Sequence, residues 1–401
     1  MLTQRQLFLS HLAQTTPFPL MLEIEKAEGI YLYDKKGKKY ADLISGISVS
    51  NLGHCHPKVI EAIKSQLDKY MHLMVYGEYI QSPQVQFASL LAKQLPPNLS
   101  CTYFVNSGAE AIDGAMKLAK RYTGRSEIVS FTNAYHGSTQ GALSIMGSET
   151  FKNAYRPLLP DVRIIEFNSE EQLSLITCNT AAVFVEPIQG EAGVIVPEKD
   201  YLKKLRQRCN ETGTLLVADE IQCGFGRTGT LFAFEQYYFI PDILCLAKAM
   251  GGGMPMGAFI SSKEIMHSLT ENPMLGHITT FGGHPVCCAA GYSALSVLLE
   301  ENLIQQVSEK EKLFKQLLIH PSIKEVRGKG LLMAVQFDSF ETNKKIIDLC
   351  IEKGVITDWF LFNDSAMRIA PPLIITEQEI KDCCAVILES INEIKRRERV
   401  N

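Results

Sequence analysis

The sequence predicts an α/β fold: a large domain with a mixed, mostly parallel sheet, plus a smaller α+β domain. Three observations lead there. Continuous apolar runs such as Leu215–Ala218 and Ile243–Ala247 look like strands buried on both faces, as parallel sheets require. Such runs alternate with helix-like segments, the pattern of strand–helix–strand units. The runs also end in polar groups, Asp219 and Glu220 after the first and Lys248 after the second. Binding residues of open parallel sheets gather at the C-terminal ends of strands. A chain of 401 residues accommodates two domains, or one large body with an appendage.

In chain order, residues 1–20 read as a short helix ended by the breakers Pro17 and Pro19. EKAEGIYLYDKKGKKYADLISGI alternates around a turn at Asp34–Gly37 and reads as a β-meander. NLGHCHPKVIEAIKSQLDKY is a loop running into an amphipathic helix, with Val59, Ile60, Ile63 and Leu67 on its apolar face. From Gln84 onward, QVQFASLLAKQL is helical, CTYFVNSG a strand and turn, and AEAIDGAMKLAKRYTG a helix. EIVSFTNAYHGST and TAAVFVEPIQGEAG each give a strand and loop, and YLKKLRQRCNETG a helix before Leu215. After the loop HITTFGGHP, one long helical segment spans CCAAGYSALSVLLEE and QQVSEKEKLFKQLL. VRGKGLLMAVQF and AMRIAPPLII read as strands between helices near 341–353 and 377–396. The expected division is an N-terminal segment 1–50 joining the small domain, a large domain 51–295 and a small domain 296–401.

Composition excludes several function classes. Hydrophobic content of 46% and charged content of 21% are ordinary for a globular protein, and a net charge of −4 gives no bulk attraction to nucleic acid or an anionic membrane. The basic run KRRER near the C-terminus suits a solvated last helical turn. Eleven cysteines without CxxC spacing fit reduced, buried thiols, so a cytoplasmic location is expected. No apolar run approaches the ~18 residues of a membrane span, and no signal-like segment opens the chain. His54 and His56 have no third ligand nearby, so no metal is expected.

The chemistry centres on Asp219 and Lys248. An acid at one strand end and a lysine after another suit a charged ring. The acid can pair with a protonated pyridine nitrogen while the lysine forms a Schiff base with an aldehyde, the two contacts that pyridoxal 5′-phosphate (PLP) needs. Ser107-Gly108-Ala109-Glu110 falls where a strand turns into a helix, whose free N–H groups favour an anion. Tyr135-His136-Gly137 offers an aromatic that can stack on a flat ring, and Glu186 is another strand-end acid. Gln222 can hydrogen-bond a phenolic oxygen. Each feature alone is also an ordinary cap, core aromatic or strand-end salt bridge.

Gly224-Phe-Gly226-Arg-Thr-Gly229 matches G-x-G-x-x-G, with Asp242 at roughly the 20-residue spacing a dinucleotide fold wants. Its context differs: it follows the strand-end acid closely, contains Arg227, and leads into aromatic-rich sequence without a clear helix. It is read as a decoy.

Together, DLISGISVSNLGHCHP, NSGAEA, AYHG, EPIQGEAG, LLVADEIQCGFGRTG, LAKAMGGGMPMGAF, TTFGG, VRGKGLL and MRIAPPL resemble, in order and over nearly the whole chain, the class III aminotransferases. The resemblance implies PLP-dependent transferase fold type I. It makes Lys248 the Schiff-base lysine and proton carrier, Asp219 the partner of the pyridine N–H, and Gly108 and Ala109 the phosphate cradle. Tyr135 would stack on the ring, and Gln222 would contact its phenolic oxygen. Ser107, His136 and Glu186 are expected among the cofactor-binding residues. Thr280 matches a threonine that reaches the phosphate of the neighbouring subunit, implying a homodimer with interfacial sites. Arg368 matches an arginine that holds a substrate α-carboxylate, and Glu191 a glutamate that covers it while an ω-amine reacts. Having both is similar to ornithine, acetylornithine and 4-aminobutyrate aminotransferases.

Three positions depart from the resemblance. Ser138 stands where ornithine and acetylornithine members carry an arginine, His284 replaces an Asn, and Ala109 a Thr or Ser. The expected activity is a ping-pong transfer of an amino group, the ω-amino group of ornithine, N-acetylornithine or a related acid, to 2-oxoglutarate. The Ser138 change leaves the donor, and pyruvate as an alternative acceptor, open. A same-fold aminomutase and a non-catalytic scaffold are the competing readings, and retention of Lys248 opposite Asp219 argues against the scaffold.

Overall fold

The computed structural model of this chain describes residues 2–400, with side chains through 398. A first helix, Gln4–His11, stops well before Pro17. The meander forms as read, from β1 (Ile24–Glu28), β2 (Tyr31–Asp34) and β3 (Lys39–Asp42). Its β2–β3 turn is held by Asp34 Oδ1, which accepts from the Lys36 and Lys38 N–H groups at 2.9 Å each. In the helix Pro57–Leu67 the apolar face is narrower than expected. Val59 and Gln66 are buried, while Leu67 is exposed, because Gln66 turns inward to donate to the Tyr70 carbonyl at 2.9 Å.

The central sheet has seven strands: β4 (Cys101–Val105), β5 (Glu127–Phe131), β6 (Val162–Ile165), β7 (Thr180–Val185), β8 (Leu215–Asp219), β9 (Ile243–Ala247) and β10 (Gly257–Ser261). They lie in the order β4-β10-β9-β8-β7-β5-β6. Only β10 runs antiparallel to its neighbours, and β9-β8-β7-β5-β6 is a continuous parallel set. Every residue of β7, β8, β9 and β10 is buried, which is why these strands appear as unbroken apolar runs.

Toward the C-terminus the predicted long helix is two, Pro285–Glu300 and Leu303–Leu317. The break is at Asn302, in the left-handed region at φ 53°, a conformation asparagine tolerates better than most residues. A second sheet, ordered β11-β12-β15-β14, follows from β11 (Glu325–Lys329), β12 (Leu332–Gln336), β14 (Trp359–Phe360) and β15 (Asn363–Ile369). The intervening β13 (Val355–Ile356) pairs in parallel with β3, Val355 opposite Ala41, so the N-terminal meander joins the C-terminal part of the chain. The last helix is Glu377–Val400. Arg396 and Arg397 of its basic run are exposed, and the side chain of Arg399 lies outside the described residues.

Candidate active site

The C-terminal ends of β7, β8 and β9 bring Glu186, Asp219 and Lys248 to one cavity of about 530 Å³. Its walls also include Ser107, Gly108, Ala109, Tyr135, Ser138 and Gln222. Of the residues expected at the site, His136 and Glu191 line it too. Arg368 lies behind Glu191, and Thr280 is exposed and does not line the cavity of its own chain.

Ser107 caps the helix Gly108–Thr123, its hydroxyl accepting from the Glu110 N–H at 3.2 Å. The N–H groups of Gly108 and Ala109 have no protein acceptor among the described residues, so they remain available to an anion. The turn is tight. A Cβ at Gly257 on the neighbouring strand would stand 2.3 Å from the Ser107 carbonyl oxygen, and one at Gly108 would stand 2.9 Å from Ile221.

Asp219 is 3% exposed. Its Oδ1 accepts from the Ile221 N–H at 3.0 Å, and its Oδ2 faces His136 Nδ1 at 2.7 Å. His136 Nε2 faces Ser130 Oγ at 3.2 Å on β5, completing a buried chain of three polar groups. Nothing in the sequence marks Ser130, which is one residue inside a strand. Glu186 accepts from the Tyr135 and Gly190 N–H groups at 3.2 and 3.3 Å, and burial next to Asp219 pushes its carboxyl well up. Glu220, fully buried behind Asp219, accepts from the Ala233 and Phe234 N–H groups at 2.6 Å each, and burial raises it to about 8.

Lys248 is the only lysine of the cavity wall among the described residues. It leaves β9 in the left-handed region at φ 50°, an uncommon and costly backbone for a non-glycine residue. Burial lowers its ammonium from the ordinary lysine range, with Glu191 and Asp219 opposing and Arg368 assisting. Across the cavity mouth the Tyr135 hydroxyl lies 3.2 Å from Ser138 Oγ, and its ring packs near Phe362. Gln222 donates through Nε2 to Glu191 at 3.3 Å, while its buried Oε1 has no partner among the described residues.

Glu191 and Arg368 form a two-pronged pair, Nη1 to Oε1 at 2.8 Å and Nη2 to Oε2 at 3.0 Å. Burial alone would raise Glu191. The guanidinium overrides it and holds the carboxyl at about 2. Asp358, which no sequence motif marks, accepts from Arg368 Nε at 2.8 Å.

Ahead of the cavity, Ser45–Ser48 forms a left-handed turn with every φ between 50° and 66°, leading to Val49 in the cavity wall. Asp42 accepts from the Ile44 and Ser45 N–H groups, and the Ser45 hydroxyl donates to the Ala370 carbonyl at 2.6 Å. No residue of the G-x-G-x-x-G segment lines this cavity. Arg227 is fully buried and donates to the carbonyls of Leu331 and Pro371 and to Asn51, tying the two parts of the chain together. His54 pairs with Asp42 at 2.9 Å, and among the described residues no cluster could hold a metal ion. No described helix is long and apolar enough to cross a membrane.

The residues present fit PLP on structural grounds. A helix N-terminus with two free N–H groups suits a phosphate, a buried acid suits a ring N–H, one lysine enters the cavity, and the orphan Oε1 of Gln222 leaves a polar position open. Comparison with known proteins agrees. The acetylornithine aminotransferase of Methanopyrus kandleri is 38% identical over 95% of this chain and 96% of its own length. That of Methanocaldococcus jannaschii is 39% identical over 94% and 95%. The solved ornithine aminotransferase of Toxoplasma gondii, which shows partial occupancy of PLP at its active site, is 30% identical. It superposes with a TM-score of 0.90 over 98% of this chain and 94% of its own. The family Aminotransferase class-III matches residues 13–391, and the chain belongs to it.

Proposed function

We propose that this PLP-dependent aminotransferase takes its amino group from the ω-position of ornithine, N-acetylornithine or a related ω-amino acid and passes it to 2-oxoglutarate. The observation that carries the reading is the Glu191–Arg368 pair. Glu191 lines the cavity and covers an arginine that is itself 2% exposed. An arginine able to grip a carboxylate, yet capped by a removable one, suits a site that alternates between an ω-amine and an α-amino or oxo acid. The similar acetylornithine and ornithine aminotransferases point the same way.

PLP, when bound, supplies an electrophilic carbonyl carbon and a ring that withdraws electrons from the substrate carbon. The N–H groups of Gly108 and Ala109, with Ser107, would bind its phosphate, and Tyr135 would stack on the ring. Asp219 would hold a proton at the ring nitrogen, and His136, hydrogen-bonded behind it, would fix the carboxylate's direction. Lys248 Nζ, its proton loosened by burial, would carry protons to and from the substrate carbon. Gln222 would meet the phenolic oxygen. Glu186, its carboxyl pushed well up by burial and by neighbouring Asp219, would line the site with its oxygens held by the Tyr135 and Gly190 N–H groups. Arg368 would take the α-carboxylate of the second substrate once Glu191 has moved.

The same reading divides the chain into residues 1–50 and 296–401 as a smaller domain, and 51–295 as the larger one. It also makes the protein a cytoplasmic homodimer. Ile278 and Phe281 beside Thr280 are exposed, as are Met71, Tyr79 and Ile80 on the segment whose His72 packs against Phe281 at 4.8 Å, and exposed apolar side chains of this kind suit a subunit interface. The deciding experiment is a donor panel. Ornithine, N-acetylornithine, lysine, 4-aminobutyrate and β-alanine are added singly to the holoenzyme, and the spectral change to the amine form of the cofactor is followed. Failure of every one of these ω-amino donors to convert the cofactor defeats the proposal, and turnover with no oxo acid added favours an aminomutase.

A further inference from the structure

We propose that Asp358 is a positioning residue for the substrate carboxylate. It locks the Arg368 guanidinium so that its Nη1–Nη2 edge stays aimed at the cavity side whether or not Glu191 occupies that edge. The proposal rests on the reading of Arg368 as the carboxylate anchor.

The contacts around Arg368 divide into two sets. The first comes from three consecutive residues. Asp358 Oδ1 accepts from Nε at 2.8 Å, the Trp359 carbonyl accepts from Nη2 at 3.3 Å, and the Phe360 ring lies 4.4 Å from Cζ. The second is Glu191 alone, on the edge formed by Nη1 and Nη2. The first set sits on a fixed strand. The Arg368 N–H donates to the Asp358 carbonyl at 2.9 Å, and the Thr357 hydroxyl donates to the Arg368 carbonyl at 2.6 Å. Glu191 belongs to the loop after β7, where residue 193 is a glycine at φ 88°.

Two consequences follow. With Glu191 withdrawn, the guanidinium is still held at Nε, at one Nη2 hydrogen and over its face. An incoming carboxylate therefore meets a fork already oriented, with little rotamer freedom left to lose. The exchange also conserves charge. Two carboxylates face one guanidinium when Glu191 is in place, and two still face it when a substrate carboxylate has replaced Glu191. The gate can open without leaving a buried arginine unpaired. Burial pushes the Asp358 carboxyl up to about 6 against the pull of Arg368, in keeping with a cluster that holds one carboxylate more than one cation requires.

The test uses the holoenzyme and reads two constants: the Michaelis constant for the oxo-acid acceptor, 2-oxoglutarate, and the inhibition constant for glutarate, a dicarboxylate that cannot react. Asp358→Ala should raise both about tenfold or more, the scale of one charge-assisted hydrogen bond, and shift the Michaelis constant for the ω-amino donor by a smaller factor. Asp358→Asn, which keeps an acceptor for Nε, should recover most of the loss. If the Ala variant does not fold, Asp358→Glu serves. It keeps the charge but displaces the carboxylate, and should weaken glutarate more than the donor. Unchanged glutarate inhibition in a folded Ala or Glu variant, or equal losses with both substrates, overturns the proposal. Arg368→Gln separates the two levels. If it abolishes glutarate inhibition while the Asp358 variants do not, the anchor stands and the positioning role falls. If it changes nothing, both fall.

Discussion

His136 Nδ1 and Asp219 Oδ2 lie 2.7 Å apart in a pocket where both residues are almost fully buried, and Ser130 occupies the opposite nitrogen of the ring. Asp219 therefore reaches the cavity already fixed in direction by His136 and the Ile221 N–H, one acceptor site on each oxygen being left for a group in the cavity. Asp219→Asn should retain the cofactor yet slow the first half-reaction by roughly 10²-fold or more, the scale of a positioned proton-handling group. Asn can hydrogen-bond the ring nitrogen but cannot hold it as a cation. Stopped-flow comparison with the unsubstituted enzyme decides this, and an unchanged rate would move the ring's partner elsewhere.

Lys248→Ala should leave a folded protein without multiple turnover. Among the described residues the cavity wall contains no other lysine, so under the proposed function the variant would lack both its covalent anchor and its proton carrier. Rates should drop by several orders of magnitude, of which proton transfer alone accounts for roughly 10²–10⁴. Treatment with borohydride followed by dialysis provides a second readout. The unsubstituted protein should keep its cofactor and the variant should release it. Retention by the variant would disprove the lysine assignment.

Much of this is legible in the sequence because buried parallel strands leave a plain mark. β7, β8 and β9 are short apolar runs closed by Glu186, Asp219 and Lys248, and the sheet topology converts those three ends into one cavity. What stays hidden lacks such a mark. Asp358 precedes a two-residue strand and becomes important only through pairing with β15, a contact no local pattern encodes. Ser130 is a small polar residue in an apolar strand, meaningful only once His136 folds over it. The left-handed turn at Ser45–Ser48 carries Ile47 at φ 66°, against the preference of a β-branched side chain, and is sustained by Asp42 and the tie to Ala370. Asn302 splits a helix that apolar periodicity continues through.

Glu220 gives the fold a definite pH response. Its carboxyl, raised by burial to about 8, keeps its proton in the folded state where the unfolded chain has lost it above about 4.3. The unfolded state binds fewer protons across that window. The contribution of this group to stability should therefore fall as pH rises from about 4.3 toward 8, by at most about 1.4 kcal/mol per unit, and flatten beyond. Glu220→Gln should lose one backbone hydrogen bond at every pH and remove this slope. Urea midpoints at pH 5 and pH 8 for both proteins test it. Identical slopes would show that Glu220 ionises freely in place.

Thr280 is exposed and away from its own cavity, which suits action on a partner subunit. Mixed dimers of Lys248→Ala and Thr280→Ala chains should contain one site with both lesions and one with neither. Recovery of activity toward half that of an unsubstituted dimer, after subunit exchange verified by native mass spectrometry, is the expected result. Exchange without recovery would place Thr280 outside the neighbouring site.

The Glu191–Arg368 pair separates an ω-aminotransferase from one acting on α-amino groups alone. Glu191 is engaged four times: by both Nη atoms of Arg368, by the Leu361 N–H at 3.1 Å and by Gln222 Nε2 at 3.3 Å. An α-carboxylate must displace the first two contacts before it can dock. A hydrogen bond between charged groups is worth roughly 1.5–3 kcal/mol, one to two decades in an equilibrium constant. That cost falls on glutamate and not on an extended ω-amine, which leaves the pair intact. Glu191→Ala should therefore speed the half-reaction with glutamate by about tenfold or more, from the lower end of that range upward, because Asp358, the Trp359 carbonyl and the Phe360 ring still hold the freed arginine. The same change should slow or misdirect the half-reaction with ornithine, whose α-carboxylate can now reach Arg368 and bring the α-amino group, in place of the ω-amino group, to the reacting position. Single-turnover rates for both donors, with product analysis for the ornithine arm, read this directly. Equal slowing of both would mean that Glu191 only supports the fold of its loop, and the case for an ω-amino donor would lose its structural basis.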